Sequence, residues 1–198
     1  GQNDLRDMSG VSKASPRIEA YGTVDEVNAS LGRAAGLLRT AHREEIGGMQ
    51  DLVDDVVELQ HRLFVAQADL ADPERGTGSD APTIDDEDVA WCEDRIDAYE
   101  EELPPLQSFV LPGGAPTGAA LHRARTVARR AERRCVALAE HVEAMGEADE
   151  DGGGADGPDA GRDVGDVLAF LNRVSDLLFV LARTANDRLD VEEKAPRY

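Results

Sequence analysis

The chain has 198 residues, enough for one well-cored domain, and nothing in its composition demands two. Its 41 acidic residues against 21 basic ones give a formal net charge of -20 and a pI near 4.4, which excludes whole-surface attraction to DNA, RNA or anionic membrane. Any bound anion must therefore sit at a local site, and with 41% hydrophobic but only 4% aromatic residues the core is expected to be built from Leu, Val and Ala.

Only Lys13 and Lys194 among the 21 cations are lysines, and Asp outnumbers Glu. This bias suggests a halophile protein kept soluble in concentrated salt, where screening relieves carboxylate repulsion; an ordinary acidic protein is the alternative. Cys92 and Cys135 are isolated, without CxxC spacing, so no zinc site or disulfide framework follows and a reducing cytoplasmic setting fits. No apolar run approaches membrane-spanning length, and no signal-peptide pattern opens the chain.

Apolar residues recur at three- and four-residue intervals, and strand-like alternation is nearly absent, which predicts an all-α fold. A first helix is expected from Arg17 or Thr23 to about Thr40, with Val24, Val27, Leu31, Ala35 and Leu38 on its apolar side. A second carries Leu52, Val53, Val56, Leu59, Leu63 and Ala66 and stops near DPERGTGSDAP. A third is expected from Thr83, acting as its cap, to just before Pro104. FVLPGGAPTG, 109–118, leads into a fourth from about Ala119 to Ala144. The acidic, glycine-rich segment 147–161 reads as a solvated spacer without a metal. A fifth spans roughly Val164 to Leu189, with Val167, Leu168, Leu171, Leu178 and Leu181 inward, so the five helices make a bundle.

The fourth helix carries RARTVARRAERR, six arginines in twelve positions. At about 100° per residue, Leu121, Ala124, Ala128, Ala131, Cys135, Leu138 and Val142 form its apolar side. Arg125, Arg129 and Arg133 make one row, with His122 nearby and Glu132 at its edge; Arg123, Arg130 and Arg134 fall on the far side. Two accounts fit the cluster: a solvated face pairing with the abundant carboxylates, or a row suited to a polyphosphate, since guanidinium groups bind phosphate bidentately. In AYGTVDEVNASLG, Asp25, Asn28 and Gly32 share a face, either as a solvent-facing stripe or with Asp25 buried and paired to an arginine of the fourth helix. In the last helix Asn172, Arg173 and Asp176 interrupt an apolar pattern, and Asn172 either reads a ligand or bridges helices. A single ExxH, Glu58 to His61, lacks the second copy that di-iron bundles use.

Taken together and in this order, AYGTVDEVNASLG, FVLPGG, LHRARTVARRAERR and FLNRVSDLLFVLAR resemble the PduO-type corrinoid adenosyltransferases. The resemblance implies a five-helix bundle assembled as a homotrimer. ATP and cobalamin would lie between subunits, and the 5'-deoxyadenosyl group would pass from ATP to cob(I)alamin with release of triphosphate. It implies that Arg129, Arg130, Glu132 and Arg133 lie along the triphosphate with Mg2+, that Lys13 and Asn172 contact ATP, and that Asp25 and Arg125 form an ion pair between subunits. Phe109 would lie on the lower face of the corrin. The opening GQNDL resembles the tail of a phosphate-binding TGDxGxT-like loop, with Asn3 where a hydroxyl residue is usual and Asp4 beside it. Residues 1–16 are thus expected to be a residual nucleotide-binding segment, with the rest of the loop expected ahead of Gly1. A cobalamin reductase or a B12-dependent enzyme is the candidate partner. The alternative from another class is a non-catalytic bundle carrying or sensing a corrinoid or nucleotide.

Overall fold

A computed structural model describes residues 2–5, 8–44, 48–72, 81–149 and 164–197, and among them the expected five helices form the body of the molecule. They are α1 (Pro16–Arg43), α2 (Gln50–Ala71), α3 (Asp86–Glu100), α4 (Pro116–Asp149) and α5 (Gly165–Arg188). A two-stranded antiparallel hairpin, β1 (Gln2–Leu5) and β2 (Met8–Ser12), precedes them and was not expected from the sequence. Asn3 registers with Val11, and the pairing shifts between Asn3 and Leu5. Most of the 147–161 segment lies outside the described residues, as does most of DPERGTGSDAP.

The helix boundaries follow local chemistry. Ser15 caps α1, its hydroxyl accepting from Ile18 N at 3.3 Å, and Pro16 occupies the first turn, where a missing N–H costs nothing. At α3 the cap is Asp85 rather than Thr83: Asp85 accepts from Glu87 N at 2.9 Å, and Asp88 returns the bond to Asp85 N at 3.2 Å. The acidic first turn of α3 favours this later start, since a carboxylate answers the exposed amides better than a hydroxyl.

α1 packs against α2 and α4, α4 against α5, and α5 against α3. Every inward position expected on α1 and α2 is buried, as are Leu121, Ala124, Ala128, Ala131, Cys135 and Leu138 on α4. Val142 and Leu168, expected inward, are only half-buried. Burial pushes the Cys92 and Cys135 thiols up to about 12, which suits them to packing rather than reaction.

Arginine ties the helix ends together. The Arg17 Nη1 donates to the Leu70 carbonyl at 3.0 Å, satisfying the end of α2 from inside the core. Arg188 bonds Asp51 at 2.6 and 2.7 Å, Glu102 at 2.9 Å and the Gly48 carbonyl at 2.8 Å, and it lies over the Tyr99 ring. Burial is the largest influence on the Asp51 carboxyl and would raise it, but the bond and charge of Arg188 together with the Leu52 and Asp51 backbone amides outweigh it and hold the group below its usual range.

Packing is tight at the start of α4. Asn186 of α5 fills the space against Gly114, which has a φ of 100°, and against Gly118; a Cβ on Gly118 would stand 2.2 Å from the Asn186 Oδ1. Gly118→Ala is expected to destabilise the protein by about 1–3 kcal/mol through overpacking, measured by denaturant melts, whereas an unchanged midpoint would show that the contact relaxes freely.

Candidate active site on the outer face of α4

Because the Ala and Leu stripe of α4 is buried between α1 and α5, its arginines can only emerge on the opposite face, and the two rows meet different neighbours. Towards α1, Arg130 pairs with Glu26, and Arg134 with Glu19 at 3.6 Å. Towards α5, Glu132 accepts from the Asn172 Nδ2 at 3.0 Å, and Arg125 lies over the Phe179 ring at 5.8 Å. Arg129 and Arg133 occupy the exposed middle. Arg133 Nη1 donates to the Arg129 carbonyl at 2.9 Å, and neither guanidinium has a carboxylate partner among the described residues.

Of the two accounts of the cluster, pairing with surface carboxylates holds for Arg134, while Arg123 is exposed without an acidic partner among the described residues. Arg130, expected along a polyphosphate, is engaged by Glu26 within the chain.

Asp25 is exposed and accepts from the Gln67 Nε2 at 2.9 Å, so within the chain it is neither buried nor paired with an arginine. Its stripe faces α2, where Asn28 donates to the Gln60 carbonyl at 3.2 Å and Gln60 returns a bond to the Asn28 carbonyl at 3.1 Å. Arg125 is half-buried with its Nε unpartnered, and burial followed by the Arg129 charge presses it below its usual pKa. Such a group lacks an anion, and Asp25 of the same chain does not supply it.

Lys13 is exposed in the turn between β2 and α1, and Asn3 and Asp4 lie on β1, where only the backbone is described. Phe109 is 80% exposed on the connection between α3 and α4. Of the ExxH, Glu58 pairs with Arg62 at 3.0 Å and His61 points outward.

The chain as a whole is similar to known proteins. A family model described as cobalamin adenosyltransferase matches residues 1–185. A corrinoid adenosyltransferase of Bacillus subtilis is 39% identical, over 89% of this chain and 77% of that one. One of Mycobacterium tuberculosis is 38% identical over 96% and 86%. The chain belongs to the cobalamin adenosyltransferase family. A single-residue variant of the PduO-type ATP:corrinoid adenosyltransferase from Lactobacillus reuteri, solved in complex with cobalamin and ATP, superposes with a TM-score of 0.80 at 32% identity, covering 100% of this chain and 95% of that one. Another variant of that enzyme, complexed with ATP, gives 0.77 at 32% identity.

As a cobalamin adenosyltransferase the chain is an enzyme that uses ATP to adenosylate cobalamin, which sets it apart from the carrier and di-iron alternatives. Among its described residues no helix is long and apolar enough to cross a membrane.

Sequence reasoning gave His122 no task beyond proximity to the arginine row. The structure buries it to 2% exposure against Phe179, with both ring nitrogens unpartnered. Burial, then the Arg125 charge, holds its imidazole below the ordinary histidine range. A depressed histidine favours folding while neutral, so this contribution is present above the unfolded value near 6.5 and lost as pH falls through the folded one. His122→Phe is therefore expected to flatten the loss of stability that begins below pH about 6.5, read as a shift of the acid-unfolding midpoint to lower pH.

Proposed function

We propose that Arg129 and Arg133, with Lys13, hold the triphosphate of ATP, that Glu132 and Asn172 orient the nucleotide beside them, and that Arg130, Asn3 and Asp4 border the same site. The observation that carries this reading is the pair of guanidinium groups in the middle of α4 that have no carboxylate partner among the described residues. In so acidic a chain, two arginines one helical turn apart with no carboxylate among the described residues are best explained by an anion that arrives from outside. The hydrogen bond from Asn172 to Glu132 supports it, since it fixes two polar side chains at the edge of that row.

The active enzyme is a homotrimer in this reading, with the site at the boundary between subunits. Arg125 then meets Asp25 of the partner subunit. The half-buried, unpartnered Nε of Arg125 and the exposure of Asp25 support the pairing, because each presents an unmatched charge to a surface where the other can reach it. Phe109 lies on the lower face of the corrin, which accounts for an aromatic side chain held outside the core. The acidic surface fits a cytoplasmic protein of a halophile.

The chemistry asked of the protein is alignment and electrostatics. The electron pair of cobalt(I) forms a bond to the 5' carbon of ATP, and the carbon–oxygen bond breaks with its pair going to triphosphate. Arg129, Arg133 and Lys13 stabilise the charge on that leaving group, and no side chain need move a proton. In this reading magnesium accompanies the nucleotide phosphates and shares in neutralising the leaving group. Phe109 keeps the lower position of cobalt dry and unligated, which eases reduction from cobalt(II) to cobalt(I).

Incubated with ATP, magnesium and chemically reduced cobalamin, the protein is expected to yield a light-sensitive cobalt–carbon product. Arg129→Ala should lower turnover by about 10²–10³ while leaving helicity and the melting transition in place, and near-normal turnover in that variant would remove the triphosphate role. Asp25→Arg or Arg125→Asp alone should weaken the trimer in sedimentation, and combining them should restore it. A double variant no better than either single one would sever the proposed pair.

A further inference from the structure

The connection that carries Phe109 has no regular structure between α3 and α4, yet both of its ends are fastened to α5 by residues one helical turn apart. At the near end, the Arg183 Nη2 donates to the Pro104 carbonyl at 3.0 Å. At the far end, Asn186 accepts from Ala115 N at 2.9 Å and donates to the Gly113 carbonyl at 3.1 Å. Asn186 is buried, and Gly114 and Gly118 leave room for nothing larger against it.

A third fastening comes from the chain beyond α5. It reverses at Asp190, whose φ of 53° is one that Asp tolerates better than most residues, and returns with Val191 N bonded to the Asn186 carbonyl at 2.9 Å. Glu193 then accepts from the Arg183 Nε at 3.0 Å, between side chains only 18% and 7% exposed. The next carbonyl, of Lys194, accepts the Leu111 N–H at 2.8 Å, two residues from Phe109. Cavities of about 340 and 360 Å³ flank this strap, one beside Leu103 and Pro104, the other beside Pro112 and Gly114. The strap is thus held by its polar bonds more than by close packing, and the Arg183–Glu193 pair is the strongest of them by charge.

We propose that Arg183, Asn186 and Glu193 are positioning residues for adenosyl transfer: they clamp the 104–115 connection and thereby set where Phe109 stands. An exposed aromatic side chain can exclude a ligand from one face of a substrate only if its backbone is fixed, because a few tenths of an ångström of loop motion reopens the gap to water. Arg183 is aligned by Glu193, so the strap acts on Phe109 through Arg183 and through Leu111. The proposal rests on the reading of Phe109 as the lower-face contact of the corrin.

The test uses the 198-residue chain and three variants, Glu193→Gln, Glu193→Asp and Phe109→Ala, with cob(II)alamin and ATP as probes of the cobalt spectrum and chemically reduced cobalamin with ATP for turnover. Glu193 lies on the strap outside the core, so its variants are expected to fold. In Glu193→Gln, amide exchange over 109–114 should quicken by about tenfold, the loss expected for one charged hydrogen bond. Turnover should fall by a similar factor, the KM for ATP should stay within about twofold, and the electron paramagnetic resonance of bound cob(II)alamin should move towards that of the ligated form. Glu193→Asp, which keeps the charge, should recover part of each. Phe109→Ala should give the same cobalt signature without quickening exchange at Leu111. Unchanged exchange in Glu193→Gln overturns the clamp, and quickened exchange with an unchanged cobalt spectrum and turnover overturns its role in the reaction. If Phe109→Ala leaves the cobalt spectrum unaltered, the reading of Phe109 has failed first.

Discussion

Along α4 the residues Ala124, Ala128, Ala131 and Cys135 are fully buried, and their small side chains let α1 and α5 close on the helix from both sides. That approach fixes the rotation of α4 about its own axis. With the seam occupied, Arg129 and Arg133 point straight outward, Arg130 and Arg134 turn towards the carboxylates of α1, and Glu132 and Arg125 turn towards Asn172 and Phe179 of α5. A bulkier seam would push one neighbour away and rotate the cationic rows with it, so the chemistry of the outer face is inherited from the packing of the inner one.

The same economy governs charge. Four arginines away from the outer face of α4 do structural work: Arg17 closes the end of α2, Arg183 and Arg188 gather carboxylates and carbonyls at the C-terminal end of α5, and Arg62 is held between Glu58, Asp88 and the Trp91 ring. Each is matched, as buried charge must be. Against that background the guanidinium groups of α4 that meet no carboxylate among the described residues stand out, and the net charge of -20 over the whole chain keeps other anions at a distance unless they can reach several arginines at once.

Much of this was legible in the residues. The inward positions of α1, α2 and α4 followed from period 3.6, and the division of the six arginines into two rows followed from the same phase. The N-terminal hairpin was not legible, because strands of four and five residues with little apolar alternation leave no period to read. The cap of α3 falls at Asp85 rather than Thr83 because several acceptable cap residues stand close together there and only the tertiary path of the incoming chain decides among them. The partnership of Asp25 with Gln67, and the hold of Asn186 and Arg183 on the 104–115 connection, depend on side chains brought together from 42, 73 and 79 positions apart. No local pattern announces such contacts; an asparagine within the apolar run LARTAND was the one available hint.

The Arg188 cluster has a consequence in time as well as space. Its partners Asp51 and Glu102 lie 137 and 86 positions away, so closing it requires long loops to be shut before any reward is gained. Such a bond is expected to form after the folding barrier has been crossed and to break before it is recrossed. Its weight then falls on the lifetime of the folded state rather than on the speed of reaching it: the cluster is a brake on escape, placed where the last helix ends.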